Sequence, residues 1–148
     1  MEERIVDILL IEDNPYEAEL AIRSLRKHNF ANQILHIDDG AEAVDFILER
    51  GKYSGGISSR PKLILLDIKL PKVDGIEILR HLKANEKTKK IPVVILTSSK
   101  ENQDIQTCYD LGANSYIVKP VDFDSFAQAV ADVGMYWMLL NNPSENDL

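Results

Sequence analysis

Cysteine occurs once in this chain, at Cys108, so no internal disulfide can staple the fold. Cys108 falls in a helix-like stretch and reads as a small buried hydrophobe, in keeping with a reducing cytoplasm. Positive charge is also short: 17 Lys and Arg against 24 Asp and Glu leave a net charge of -7. That balance argues against a nucleic-acid or anionic-membrane partner, which needs clustered cations. No apolar run approaches the roughly 20 residues of a membrane span. Met1, Glu2, Glu3 and Arg4 lead straight into a strand-like run, so no secretory leader is expected. Internal repeats and low-complexity tracts are lacking too. What remains is a cytoplasmic globular chain whose 148 residues suffice for one domain with a real core.

What the chain does have is a series of hydrophobic runs, each stopped by polar chemistry. The run from Ile5 to Ile11 stops at Glu12 and Asp13, and Leu63 to Leu66 stops at Asp67. Val93 to Leu96 stops at Thr97 and Ser98, and Ser115 to Val118 stops at Lys119. Such runs, separated by helix-like segments, read as buried parallel strands. Strands are expected at about 6–11, 33–37, 62–67, from Pro92, and 114–118. Pro15 marks the first helix start, which runs to about His28, and Gly51 and Gly112 stop later helices. Asp38, Asp39 and Gly40 read as a turn, and Lys52 to Pro61, with Gly55 and Gly56, as a mobile loop. A last helix is expected from Asp122 to Leu140, followed by a polar tail over 141–148. Five strands alternating with five helices predict an α/β, doubly wound parallel sheet in the order 2-1-3-4-5, flavodoxin-like.

In such a sheet ligands bind beyond the carboxyl ends of the strands, so these polar residues share one crevice. Glu12, Asp13 and Asp67 would repel one another there unless a cation or protons neutralise them. An open, all-oxygen, carboxylate-rich site suits Mg²⁺ better than Ca²⁺. Lys119 supplies a point charge for phosphate, the Thr97 hydroxyl can donate to a phosphoryl oxygen, and so can the Ser98 backbone N–H. Together they fit a phosphoryl-transfer transition state, with Asp67 as a nucleophile that forms an acyl phosphate. Each residue alone has a duller explanation: a cap, a turn, a solvated charge. The joint pattern across four strand ends is what favours chemistry.

These residues carry a family resemblance. Ile8 to Asn14, Leu63 to Gly75 with Pro71 and Asp74, Ile91 to Ser98, and Gly112 to Pro120 together resemble the receiver domains of two-component response regulators, CheY-like, over about residues 4–135. The resemblance implies that Asp67 is the phosphoacceptor and that Asp13, Asp67 and the Lys69 backbone carbonyl bind Mg²⁺, with Glu12 acting through water. It implies that Lys119 contacts the phosphoryl group, that Thr97 and Tyr116 form a switch pair, and that the Lys119–Pro120 bond is cis. Ser98 departs from the alanine common there. A receiver over 4–140 with an extended last helix leaves no room for an output domain. The expected partners are a sensor histidine kinase and an unknown downstream protein met near helix four, strand five and helix five. The apolar stretch Met135 to Leu140 reads as a homodimer contact. That tail and the Gly-Gly loop are similar to receivers paired with phytochrome-type kinases. Such a chain is a switch and not an enzyme, catalysing only its own phosphorylation and dephosphorylation. The competing readings are a Mg²⁺-dependent phosphatase with an aspartyl nucleophile and a constitutive binding module. Such a phosphatase places a second acid two residues after its nucleophile, and here Asp67 is followed by Ile68 and Lys69, so that acid is absent.

Overall fold

The structure, a computed structural model, describes residues 6–27, 33–55, 61–119, 122, 124, 125 and 128. Strands β1 (Ile8–Ile11), β2 (Ile34–Ile37), β3 (Leu63–Leu66), β4 (Val93–Thr97) and β5 (Ser115–Val118) form one sheet. Every neighbouring pair is parallel, and the order is β2-β1-β3-β4-β5, as expected. Helices α1 (Pro15–Lys27), α2 (Gly40–Leu48), α3 (Gly75–Ala84) and α4 (Asn102–Asp110) make the crossovers. Most of the expected last helix, including Met135 to Leu140, lies outside the described residues, as do His28, residues 56–60, Pro120 and the tail 141–148.

Helices cover both faces of the sheet, which is why β1, β3 and β4 are buried at every position and read as unbroken apolar runs. Their side chains alternate between two clusters. Leu9, Ile11, Ile64, Leu66, Val93 and Ile95 join Phe46 and Ile47 of α2 and Ile78, Leu79 and Leu82 of α3. Ile8, Leu10, Leu63, Leu65, Val94 and Leu96 join Ala18 and Leu25 of α1. Cys108 is buried in the first cluster, and burial pushes its thiol up to about 11.

Two local readings change. Gly40 is not a turn residue but the first residue of α2, whose Asp39 N-cap accepts a hydrogen bond from the Ala41 N–H at 2.8 Å. The stretch read as a mobile loop begins as a fixed 3₁₀ turn at Gly51–Tyr53. Tyr53 is buried, edge-on to Phe46 at 5.1 Å, with its hydroxyl donating to Glu42 at 2.8 Å. An aromatic ring with a hydroxyl partner outweighs the glycines around it.

Gly75 fixes the loop that follows Asp67. Its N–H donates to the Ile68 carbonyl at 3.1 Å, while Asp74 caps α3 through the Ile76 N–H at 2.9 Å. A Cβ at Gly75 would sit 2.3 Å from Ile68 Cα and 2.4 Å from the Asp67 carbonyl oxygen. Both neighbours are backbone, so the clash cannot be relieved by a rotamer. Gly75→Ala is expected to lower stability by about 2–4 kcal/mol, read as a drop in the urea midpoint. An unchanged midpoint would show that the loop yields easily.

Candidate functional site

Parallel pairing sets Ile11 beside Leu66, and the Asp67 N–H donates to the Ile11 carbonyl at 3.0 Å. Just past this rung, Glu12, Asp13 and Asp67 offer carboxylate oxygens that all lie within 4.8 Å of one another. Glu12 and Asp67 are only 3% and 4% exposed, and Asp13 is more open to solvent. On the other side of the crevice, Thr97 stands beside Val118, and the Lys119 N–H donates to the Thr97 carbonyl at 2.8 Å. That rung sends the Lys119 ammonium to Asp67 Oδ2 at 3.0 Å and to the carboxylates of Glu12 and Glu17.

Burial pushes the Glu12 carboxyl up to about 7, opposed by its hydrogen bond to Lys119 and assisted by the negative charge of Asp67. For Lys119, burial works against the charge, but hydrogen bonds to Glu12, Glu17 and Asp67 win and hold it above the usual lysine range. An excess of buried negative charge therefore remains after Lys119 is counted. The donor set is all oxygen, rich in carboxylate and open on the Asp13 side, which fits a hard divalent cation.

The remaining expected residues lie on the loops around this pocket. The Lys69 N–H donates to Asp67 Oδ1 at 2.9 Å, and its exposed ammonium pairs with Asp104 at 3.2 Å. Thr97 ends β4 fully buried, and its hydroxyl oxygen accepts from the Ser99 N–H at 3.3 Å. Ser98 is exposed immediately beyond it. Tyr116 packs half-buried against the first cluster, its hydroxyl donating to the Ser99 carbonyl at 2.9 Å. Burial raises the Tyr116 pKa, so it keeps its proton and remains a donor. Ser99 thus joins Thr97 to Tyr116, and its own hydroxyl donates to Asp104 Oδ2 at 2.6 Å.

Sequence reasoning missed Glu17, Ser99 and Asp104. Glu17 carried one signal: it sits three residues after Asn14, the spacing of a capping box, where a role toward the helix end rather than Lys119 is the normal expectation. Ser99 and Asp104 act through an intervening loop, and nothing in their local pattern pointed to each other.

Comparison with known proteins agrees with this geometry. The family profile described as "Response regulator receiver domain" matches residues 8–131. The probable methanogenesis regulatory protein FilR2 of Methanothrix harundinacea is 38% identical over 131 residues, covering 88% of this chain and 83% of that protein. Response regulator Rcp1 of Synechocystis is 35% identical, covering 88% of each. The structure of its Mn(2+)-bound form superposes with a TM-score of 0.74 at 34% identity, over 89% of this chain and 94% of that one. The bacteriophytochrome response regulator AtBRR superposes with a TM-score of 0.80 at 45% identity, over 94% of this chain and 99% of that one.

The raised Glu12 pKa fixes the sign of a pH effect in the metal-free protein. Ionised Glu12 is less favourable in the fold than in the unfolded chain, so stability falls as pH rises from 4.5 through about 7. In EDTA at pH 8, Glu12→Gln is expected to raise the urea midpoint by the equivalent of about 1–2 kcal/mol and to flatten that pH dependence. A lower midpoint would mean that the bond to Lys119 outweighs the burial cost.

Proposed function

The chain belongs to the response regulator receiver family, and from that premise we propose that Asp67 accepts a phosphoryl group from a sensor histidine kinase in a Mg²⁺-dependent reaction. It is a receiver-domain response regulator of two-component signalling, and receivers are signalling switches that bind divalent metal. The single observation that carries the finer reading is the meeting of Glu12, Asp13 and Asp67 with Lys119 at the carboxyl end of β1, β3 and β5.

In this reading an Asp67 carboxylate oxygen bonds to phosphorus as the donor's N–P bond breaks. The departing imidazole nitrogen keeps the electron pair. Asp13, Asp67 and the Lys69 carbonyl would hold Mg²⁺, with Glu12 acting through water. Bound Mg²⁺ neutralises charge on the phosphoryl oxygens. Asp67 is positioned by the Lys69 N–H and by Lys119, so it enters the reaction already oriented. Lys119, Thr97 and the Ser98 N–H serve as donors to the phosphoryl oxygens. A Thr97 hydroxyl drawn toward phosphorus changes its relation to Ser99, and Ser99 also holds Tyr116. That shared residue supports a switch in which phosphorylation biases two populations of the α4–β5 surface and so its affinity for a downstream protein.

Similarity to AtBRR supports a phytochrome-type kinase as the donor. Among the described residues no helix is long and apolar enough to cross a membrane. Pairing through the last helix rests on the apolar sequence Met135 to Leu140 and extends the domain to about residue 140.

Phosphotransfer from a histidine kinase or acetyl phosphate tests the assignment. Label is expected on the wild-type chain with Mg²⁺, and none on Asp67→Asn or in EDTA. Labelling of Asp67→Asn at the wild-type level would overturn it.

A further inference from the structure

An ammonium group has three N–H donors, and those of Lys119 meet three carboxylates: Glu12, Asp67 and Glu17. Glu12 and Asp67 belong to the acid cluster at the strand ends. Glu17 comes from the first turn of α1, and its side chain is 40% exposed against 4% for Glu12 and 6% for Asp67.

Local structure explains how Glu17 comes to be there. Asn14 caps α1, its side-chain oxygen accepting from the N–H groups of Tyr16 at 2.9 Å and Glu17 at 3.1 Å. In a capping box the glutamate at this position would accept the N–H of the cap residue. Here the Asn14 N–H donates to Glu12 Oε2 at 3.2 Å instead. Glu12 does the capping work, and Glu17 turns to Lys119.

We infer that Glu17 is a positioning residue that competes with the phosphoryl group for Lys119, setting how tightly the site holds that group. This rests on Asp67 as the phosphoacceptor and Lys119 as a phosphoryl contact. A phosphoryl oxygen needs one of the three donors. Asp67 loses its carboxylate charge when it takes the group, so the charged acids still holding Lys119 are Glu12 and Glu17. Giving up Glu12 strands a charge inside the protein, whereas giving up Glu17 exposes a carboxylate that water solvates. Glu17 therefore yields first, and its attraction for Lys119 is subtracted from the affinity for the phosphoryl group. Half-exposed ion pairs are weak, so the competition amounts to a few-fold change and not an on–off lock.

Beryllofluoride, a mimic of the phosphoryl group, serves as the probe, titrated with Mg²⁺ into the full chain. Glu17→Gln is expected to bind it about two- to fivefold more tightly than wild type at low salt. Glu17→Ala is expected to do the same. Glu19→Gln removes a charge from the same helix, where Glu19 pairs with Arg23 at 2.7 Å, and should leave affinity unchanged. The advantage of Glu17→Gln should shrink in high salt, because a half-exposed pair is screened; a purely structural role would not respond this way. Equal or weaker binding by a folded Glu17→Gln protein, or an advantage indifferent to salt, overturns the inference. Failure of the wild-type chain to bind beryllofluoride overturns the phosphoacceptor assignment instead.

Discussion

Buried negative charge at the carboxyl end of β1 and β3 is the constraint around which the rest is arranged. Two nearly inaccessible carboxylates, Glu12 and Asp67, stand close to each other and to Asp13. A low-dielectric setting makes their repulsion expensive, and cations or bound protons must balance it. The sheet order brings one such cation, Lys119, from β5 across the end of β4. A single lysine does not cancel the set, and Glu12 keeps a strong tendency to hold a proton. The same imbalance that makes the metal-free pocket uncomfortable makes it receptive to a divalent ion.

Connections outward from this pocket run mostly through backbone and short polar links. The loop after Asp67 is tied to α3 by the close approach of Gly75 to Asp67 and Ile68. It is tied to α4 by the Lys69–Asp104 pair. Asp104 also takes the Ser99 hydroxyl, and that bond, with the hydrogen bond and charge of Lys69, holds its carboxyl below the usual range against the cost of burial. Ser99 in turn meets Thr97 and Tyr116. A perturbation at Asp67 thus has a contiguous polar route to Tyr116 on β5.

Much of this was legible in the sequence because burial leaves a strong mark. Unbroken apolar runs in β1, β3 and β4 gave the strands, and the abrupt stops at Glu12, Asp67 and Thr97 gave the site. Sheet order and crevice followed from general topology rules. What escaped was anything decided by side-chain direction. Glu17 has the spacing of a cap residue, but Glu12 fills that role. Gly40 and Tyr53 sit among turn-forming residues, yet packing against Val73 and Phe46 placed them in ordered structure. Ser99 and Asp104 are five residues apart across a helix start, a spacing with no periodic signature.

The seclusion of Cys108 has a practical corollary. Its thiol is fully buried and pushed up to about 11, so the native chain offers labelling reagents no competing sulfur near neutral pH. A fluorophore or spin probe could be attached through a substitution such as Tyr109→Cys, at a position 46% exposed on α4, without first deleting the natural thiol. Motions of that helix could then be followed by spectroscopy in an otherwise unaltered protein.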